Sequence, residues 1–429
     1  MSRRLTWTAA SAVAVLAAQL AVLASTTAPA RGEDDYVLHE FKTMRLTDVY
    51  YSEGANFGDF NNDGKPDVVC GPFWYEGPDL VEKHEIYPAK PYPNDRGYSE
   101  NNFFSFAHDF NGDGWDDLLT YGLPGTPAYL YENPQGKEGN WTRHEVFPAI
   151  DNESPTFLDI TGDGQPEIVC LFGGRLGYAT YDADAPQKAW SFHPATGQGN
   201  WGRFTHGLGV GDVNGDGKLD LLMKDGWWEQ PASLEGDPEW KHHPFAFAPG
   251  MGGAQMFAYD VDGDGRNDVI TSLEAHAYGL SWFRNVPADD GGITFEEHKI
   301  MTDKPEGSPY GVCYTELHAL DLADMDGDGL LDIVTGKCYF SHNGGGPGGH
   351  DPAVMYYFKL VREGGKAEFV PMLMHDDSGV GRQVIAGDLN GDGLMDAVSG
   401  NKKGAFAWIQ STRKVSKEEW EKAQPKRVQ

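Results

Sequence analysis

A nine-residue pattern, D-x-[D/N/T]-x-D-G-x-x-[D/E], occurs seven times in the chain, and each copy runs directly into a short β-branched or aliphatic stretch. In the first copy Asp59, Asn61 and Asp63 present oxygens at alternate positions, Gly64 allows a tight turn, Lys65 offers its backbone carbonyl, and Asp67 returns a carboxylate. Such a shell of hard oxygen ligands suits Ca²⁺. The same set reads as Asp109, Asn111, Asp113 and Asp117; Asp159, Thr161, Asp163 and Glu167; Asp212, Asn214, Asp216 and Asp220; Asp260, Asp262, Asp264 and Asp268; Asp324, Asp326, Asp328 and Asp332; and Asp388, Asn390, Asp392 and Asp396. A merely polar turn would account for one Asp-Gly pair, but not for seven repeats with acids at fixed offsets. An EF-hand loop begins in the same way, yet it closes with a Glu at its twelfth position and lies between helices. Here the closing acid is the ninth residue, and flanks such as Asn56-Phe57-Gly58 and Val68-Val69 read as strands. Each loop is therefore expected to be a β-turn filled by a structural Ca²⁺, up to seven in all.

The copies begin 50, 50, 53, 48, 64 and 64 residues apart. A period of about 50 residues is the length of a four-stranded propeller blade. The rest of each period fits that count. Aromatic stretches such as Trp74-Tyr75 and Trp227-Trp228 follow the loop and its strand, and then comes a strand marked by a histidine, as at His84, His144, His193, His243 and His298. Because these histidines recur with the repeat, they are expected to pack or cap blades. The last period has only three recognisable strands, ending at Ala405 to Ile409, while an unattached copy of the fourth, Tyr36 to Phe41, precedes the first loop. The expected fold is all-β: a seven-bladed β-propeller of four-stranded blades with a Ca²⁺-binding loop in each, closed by the N-terminal strand. Closure removes the open edges that would invite aggregation.

These residues, from Tyr36 to Ile409, resemble the FG-GAP or VCBS repeat family, whose members are calcium-loop β-propellers. The motifs are specific for the repeat and not for a function, because the family includes adhesion modules, lectin-like binders and some enzymes. A looser likeness is to the propeller module of the aldos-2-ulose dehydratases, which act on oxidised sugars. Those enzymes carry additional cupin-type modules, whereas only a short tail follows the propeller pattern in this sequence.

Arg3 and Arg4, the apolar run from Ala12 to Leu23 broken only by Gln19, and Ala28-Pro29-Ala30 spell a secretory signal over residues 1–30. The run is too short for a membrane span. Residues 31–412 then form the propeller and 413–429 a charged tail, with Ser416-x-x-Glu419 as a helix-cap pattern. The expected location is secreted or periplasmic, with no membrane span after cleavage, where calcium is abundant enough for loops of modest affinity. A formal net charge of −31 argues against nucleic acid or anionic membrane as a partner. The motif positions of the loops hold 23 of the carboxylates, and seven Ca²⁺ would return 14 positive charges. Four cysteines are too few to hold the fold together. Cys70 and Cys170 read as small buried hydrophobes, while Cys313 and Cys338 are free to bridge or to stay apart.

Calcium explains stability and not activity, so function is sought on the opposite face. Each inner strand runs into its loop and the next strand runs back, which brings the residues six before the first Asp to the channel mouth: Glu53, Phe103, Glu153, His206, Ala254, His318 and Arg382. The outgoing strands add Asp225, Glu274, His276, Lys337, Lys402 and Lys403 near that rim. A propeller channel can be lined by polar residues that water satisfies. Against that reading, His206, His318, Glu53, Glu153 and Arg382 make the mixture of imidazole, carboxylate and guanidinium that a metal or acid/base site requires. His206 and His318, with Glu53 or Glu153, are candidates to hold Zn²⁺ or another divalent metal with an open position. The segments Met301 to Tyr314 and Ser341 to Asp351, the latter with His342 and His350, fall on this face as a lid or as ordinary insertions. Tyr310 would suit the apolar face of a sugar. No nucleophile elbow, phosphate-binding loop or H-E-x-x-H helix is present in the sequence. Two functions remain: a secreted module that binds a carbohydrate or cell-surface ligand at the mouth, or a metal-assisted carbohydrate lyase or dehydratase acting on a keto- or anhydro-sugar.

Overall fold

The strand-loop-strand unit recurs throughout the computed structural model, which describes residues 36–100 and 102–428. The signal-peptide reading of residues 1–30 lies outside the described residues. In all seven copies the closing acid pairs across an antiparallel ladder with the residue just before the first Asp: Gly58 with Asp67, His108 with Asp117, Leu158 with Glu167, Gly211 with Asp220, Tyr259 with Asp268, Ala323 with Asp332 and Gly387 with Asp396. Each loop is thus the turn of a hairpin. The strand that follows is aliphatic because it is covered on both faces; every residue of Asp67–Cys70, Asp117–Tyr121 and Asp332–Gly336 is buried.

Two more strands complete each unit. Across them the recurrent histidines lie flat on aromatic rings, His84 on Trp74, His243 on Trp227 and His298 on Trp282, with centroids 4.0, 3.9 and 4.2 Å apart. Each is a directly opposed cross-strand pair, the position at which side chains of adjacent strands meet. Trp74, Trp228 and Trp282 are 8%, 5% and 5% exposed, so they belong to the packing between sheets and not to a rim. Phe60, Val69, Trp74, Leu118, Tyr131 and Trp141 form one such inter-sheet core. Each large apolar side chain so buried contributes roughly 1.5–3 kcal/mol.

The architecture is an all-β propeller, but its sheets are not seven separate ones. Five are free-standing four-stranded sheets, and the other eight strands form one continuous sheet. That sheet consists of two four-stranded antiparallel meanders whose inner strands, Leu208–Gly211 and Met256–Tyr259, pair in parallel. The cause is local. A Cβ on Gly209 would lie 2.0 Å from the Met256 carbonyl oxygen and one on Gly211 would lie 2.5 Å from Ala258 Cβ, so only glycine lets these two backbones approach to hydrogen-bonding distance. The 48-residue separation of these two loops is also the shortest in the chain.

The N-terminal strand Val37–Thr47 is the outer strand of the last sheet, antiparallel to Gly404–Lys414 from Val37↔Lys414 to Thr47↔Ala405. At the inner edge the last and first units meet directly, where Arg382 N donates to Glu53 O at 2.7 Å. The tail forms a short helix, Lys417–Ala423, capped by Ser416 Oγ accepting from Glu419 N. All four cysteines are free, so Cys313 and Cys338 stay apart; Cys70 and Cys170 are buried. No helix among the described residues is long and apolar enough to cross a membrane.

Candidate functional site

The loops face one end of the propeller. In the first, Asp59 accepts from Asp63 N and Gly64 N at 3.0 and 2.9 Å, and Asp67 accepts from Phe60 N and Gly77 N at 2.9 and 2.8 Å. The closing acids are 0–2% exposed. Burial, with neighbouring loop carboxylates adding to it, pushes Asp67 and Asp268 up to about 7 and Asp332 up to about 8. Asp159, Asp163 and Glu167, Asp260, Asp262 and Asp268, and Asp324, Asp326 and Asp332 bring carboxylate oxygens within 4.8 Å of one another. Asp326 Oδ1 is buried without a hydrogen-bond partner. Crowded, buried carboxylates with a spare oxygen fit a divalent hard cation.

The other end is built by the approach segments to the inner strands. They are linked around the ring by backbone bonds, Glu53 N to Asn102 O, Glu153 N to Thr205 O and His206 N to Met251 O, at 3.0–3.2 Å. Equivalent residues therefore point at a common axis. The ring centroids of His206 and His318 are 5.4 Å apart, and His276 lies 4.9 and 4.4 Å from them. One nitrogen from each of the three falls within a 4.8 Å group. Glu316 flanks two of them: its Oε2 is 3.1 Å from His318 Nε2 and 3.4 Å from His276 Nδ1, and those two nitrogens are 3.0 Å apart. Donors bound tetrahedrally at about 2.0–2.1 Å stand roughly 3.3 Å from each other, so the separations among His276, His318 and Glu316 fit an ion such as Zn²⁺, with a nitrogen of His206 within 4.8 Å of the other two imidazoles. Nδ1 of His206, Nδ1 of His318 and Oε1 of Glu316 are buried without hydrogen bonds.

Protonation favours the same use. Burial, reinforced by the Arg382 charge, holds the His318 imidazole well below its ordinary value, so it is neutral. Burial alone would raise the Glu316 carboxyl, but hydrogen bonds from His276 and His318 outweigh it and hold it well below the usual carboxylate range. Metal ligands must be deprotonated in this way.

Of the residues expected at this mouth, His206, His318, Glu153 and Arg382 converge, whereas Glu53 joins the ring without reaching the imidazoles. Glu53 Oε1 accepts from the Tyr50 hydroxyl at 2.5 Å and its Oε2 lies 4.0 Å from Arg382 Nη1. Glu153 Oε2 is 3.0 Å from Arg382 Nε and 3.1 Å from His206 Nε2. Burial would raise this carboxyl, and the guanidinium with the two imidazoles drives it far down instead. Two carboxylates thus stand against the imidazoles, Glu316 beside His276 and His318 and Glu153 beside His206 and 4.0 Å from His318 Nδ1, while Glu53 stands apart. Asp225 and Lys403 pair with Lys224 and Asp377, away from the group. Tyr310 is drawn to the outer flank, its hydroxyl donating to Glu368 and Arg427 lying over its ring.

Arg382 ties the mouth together. It is 1% exposed, reaches Glu153, Cys338 Sγ at 2.8 Å and Ser341 Oγ at 3.4 Å, and lies over Tyr98. Arg382→Met is expected to destabilise the fold by about 3–5 kcal/mol, because it strands the buried Glu153 charge. Denaturant titration checks this: the double variant Arg382→Met/Glu153→Gln should recover much of the loss, and no recovery would mean that the pair is not the cause.

Above the imidazoles runs the turn Ser341–Gly344. His342 stacks on His276 at 4.0 Å, its N–H donates to the Tyr98 hydroxyl at 2.8 Å, and Asn343 Oδ1 accepts from Gly97 N at 3.1 Å. Phe340, His342 and Asn343 all have left-handed backbone, with φ of 54, 46 and 55°. Non-glycine residues in that region cost about 1–3 kcal/mol each, so this cover is held under strain. His350 packs against Phe340 and does not reach the imidazoles.

The chain carries FG-GAP-like repeats: the family model of that description matches residues 109–170 and 159–223. No curated protein matches. Among solved structures, an Agrocybe aegerita lectin that recognises non-reducing terminal N-acetylglucosamine is 16% identical over 86% of this chain and 85% of its own, with a TM-score of 0.45. The Vibrio cholerae biofilm matrix protein Bap1 is 16% identical over 66% and 40%, at 0.32. The WD40 domain of SCAP from fission yeast is 10% identical over 86% and 98%, at 0.39.

Proposed function

We propose that this FG-GAP-repeat propeller is a secreted, calcium-stabilised module that binds a carbohydrate at the channel mouth, through a divalent metal ion held by His206, His276, His318 and Glu316. The convergence of three imidazoles, with Glu316 against two of them and several polar atoms buried without hydrogen bonds, carries the reading. A buried polar group without a partner costs about 1–3 kcal/mol, and unpartnered atoms on His206, His318 and Glu316 together favour an occupant. Counting the two meanders of the double sheet as separate blades gives a ring of seven, each with one candidate calcium loop. The propeller then occupies 31–412, between a cleaved signal and the tail.

When bound, a divalent ion would polarise the oxygens of a sugar. The chain's own residues do the rest: Arg382 and Glu153 fix His206, and the Ser341–Gly344 cover keeps water from the axis. The second reading, a lyase or dehydratase acting on a keto- or anhydro-sugar, is favoured by Glu153. It lies buried beside His206, where a proton acceptor would stand, and release from the Arg382 ion pair is what would make it basic enough to act.

Metal analysis of the purified mature protein tests the common premise. One transition-metal ion per chain is expected in addition to calcium. His276→Ala and His318→Ala should each lower its affinity by more than the roughly 10–100-fold typical of residues that only support ligands, with calcium content retained. Full metal retention in both variants would exclude the site. With the metal in place, conversion of keto-sugars to unsaturated products would favour the lyase reading, and binding without turnover the lectin-like one.

A further inference from the structure

Two lysines at the mouth are buried without a direct ion-pair partner among the described residues. Lys337 and Lys402 are 0% and 1% exposed, and neither forms an ion pair among the described residues. Lys337 Nζ donates to Thr315 Oγ1 at 2.9 Å, directly before Glu316 in the chain. Lys402 Nζ donates to the Phe340 carbonyl at 3.0 Å, one residue before the cover, and lies 4.1 Å from the centroid of the Tyr98 ring. An ammonium carries three N–H donors, so each lysine has donors to spare. Burial lowers the pKa of both, and the fields of Glu316 on Lys337 and of Glu53 on Lys402 oppose that.

The nearby acids already have partners. Glu316 meets His276 and His318, Glu153 meets Arg382, and Glu53 meets Tyr50 and Arg382. In formal charge Arg382, Lys337 and Lys402 balance Glu53, Glu153 and Glu316, so a divalent ion among the imidazoles leaves the enclosure positive. This occurs within a chain of net charge −31. Buried charge in proteins is paired or binds an ion, and here the missing partner is an anion.

Resting on the reading of the mouth as a metal-dependent carbohydrate site, we infer that its ligand is an anionic sugar, whose carboxylate or phosphate group is received by Lys337 and Lys402 while its other oxygens face the imidazoles. A neutral sugar would leave both ammonium groups unpaired beneath the cover, so selectivity comes from what the wrong ligand fails to satisfy.

Calorimetry on the full chain, saturated with Ca²⁺ and loaded with one equivalent of Zn²⁺, tests this with glucose, glucuronate and glucose 6-phosphate. At least one anion should bind about tenfold or more tightly than glucose, in keeping with charge-assisted hydrogen bonds. Which of the two does so separates carboxylate from phosphate. Lys337→Gln and Lys402→Gln, each verified to melt cooperatively, should bring that preference below about threefold. Equal binding of glucose and both anions, binding of none of the three, or an undiminished preference in both variants would overturn the inference. Failure to take up Zn²⁺ at all, or uptake unchanged by His276→Ala, would overturn the underlying site reading instead.

Discussion

Stripping calcium with EDTA at neutral pH should lower the melting temperature by about 20 °C or more. The loops supply the reason. Their motif positions hold 23 carboxylates, and their closing acids are 0–2% exposed. Without a cation the outer carboxylates of each loop repel one another, and the buried closing acids, raised toward neutral pH, must take up protons or bear charge out of water. Lysine and arginine partners soften this only in places: Lys65 with Asp63, Lys218 with Asp216, Arg284 with Asp262, and Lys359 with Asp326. A ligand that binds only the folded state stabilises it by about 2.7 kcal/mol when present at a hundredfold excess over its dissociation constant. Several such sites together rival the whole net stability of a domain, about 5–15 kcal/mol. Asp216→Ala empties one loop and should cost only about 2–3 kcal/mol, a shift of a few degrees. Calorimetric melting with and without chelator is the measurement. A protein that contains no calcium as purified and melts at the same temperature in EDTA would remove the loops from the account of stability.

The sequence made the loops and the propeller legible because the motif ties a chemistry to a position. Once Asp67, Asp117 and their counterparts are known to close hairpins, strand direction follows, and with it the end at which His206, His318, Glu153 and Arg382 meet. What it hid was local backbone path. Glu316 lies two residues before His318, and a left-handed φ of 65° turns its carboxylate back toward the same axis. Counting one residue per blade passes over it, because the tight turn that joins Glu316 to His318, closed by His318 N donating to Glu316 O, is not a feature of the repeat. His276 was visible near the rim, but it sits in the loop after Asp268–Ser272, whose course no repeat dictates. The double sheet had a similar origin. Gly209 removes a β-carbon that its equivalents in the other inner strands, such as Asn56, Phe106 and Asp321, retain, and a periodicity argument treats it as an ordinary strand residue. Tyr310 was misassigned because its environment is set by Arg427, more than a hundred residues later.

Deleting Tyr36 to Thr47 should abolish cooperative folding and cause aggregation, whereas deleting residues 415–429 should cost no more than about 2 kcal/mol. The N-terminal strand gives the last sheet its fourth strand, and its side chains are part of the core. Met44 and Leu46 pack into the cluster containing Val68, Tyr75, Val398 and Ala407, Phe41 packs beside Tyr357 at 5.8 Å, and His39 Nδ1 meets Gln410 Oε1 at 2.8 Å. At about 1.5–3 kcal/mol for each large apolar side chain fully buried, even partial burial of several approaches the net stability of the domain. The loss is also one of protection. Removing the strand bares the edge of Gly404–Lys414, which includes Ala405-Phe406-Ala407-Trp408-Ile409, an apolar run without charge. Such an edge is a template for pairing with another chain. The tail offers much less: one short helix, the Tyr36–Trp420 contact at 5.5 Å, and exposed pairs such as Arg413 with Glu419, each worth little. Light scattering and thermal melting of the two truncations, at saturating calcium, decide the matter. A strand deletion that stays monomeric and melts in one sharp transition would mean that the ring is held closed by its inner edge, through Arg382 N and Glu53 O, without any need for the outer strand.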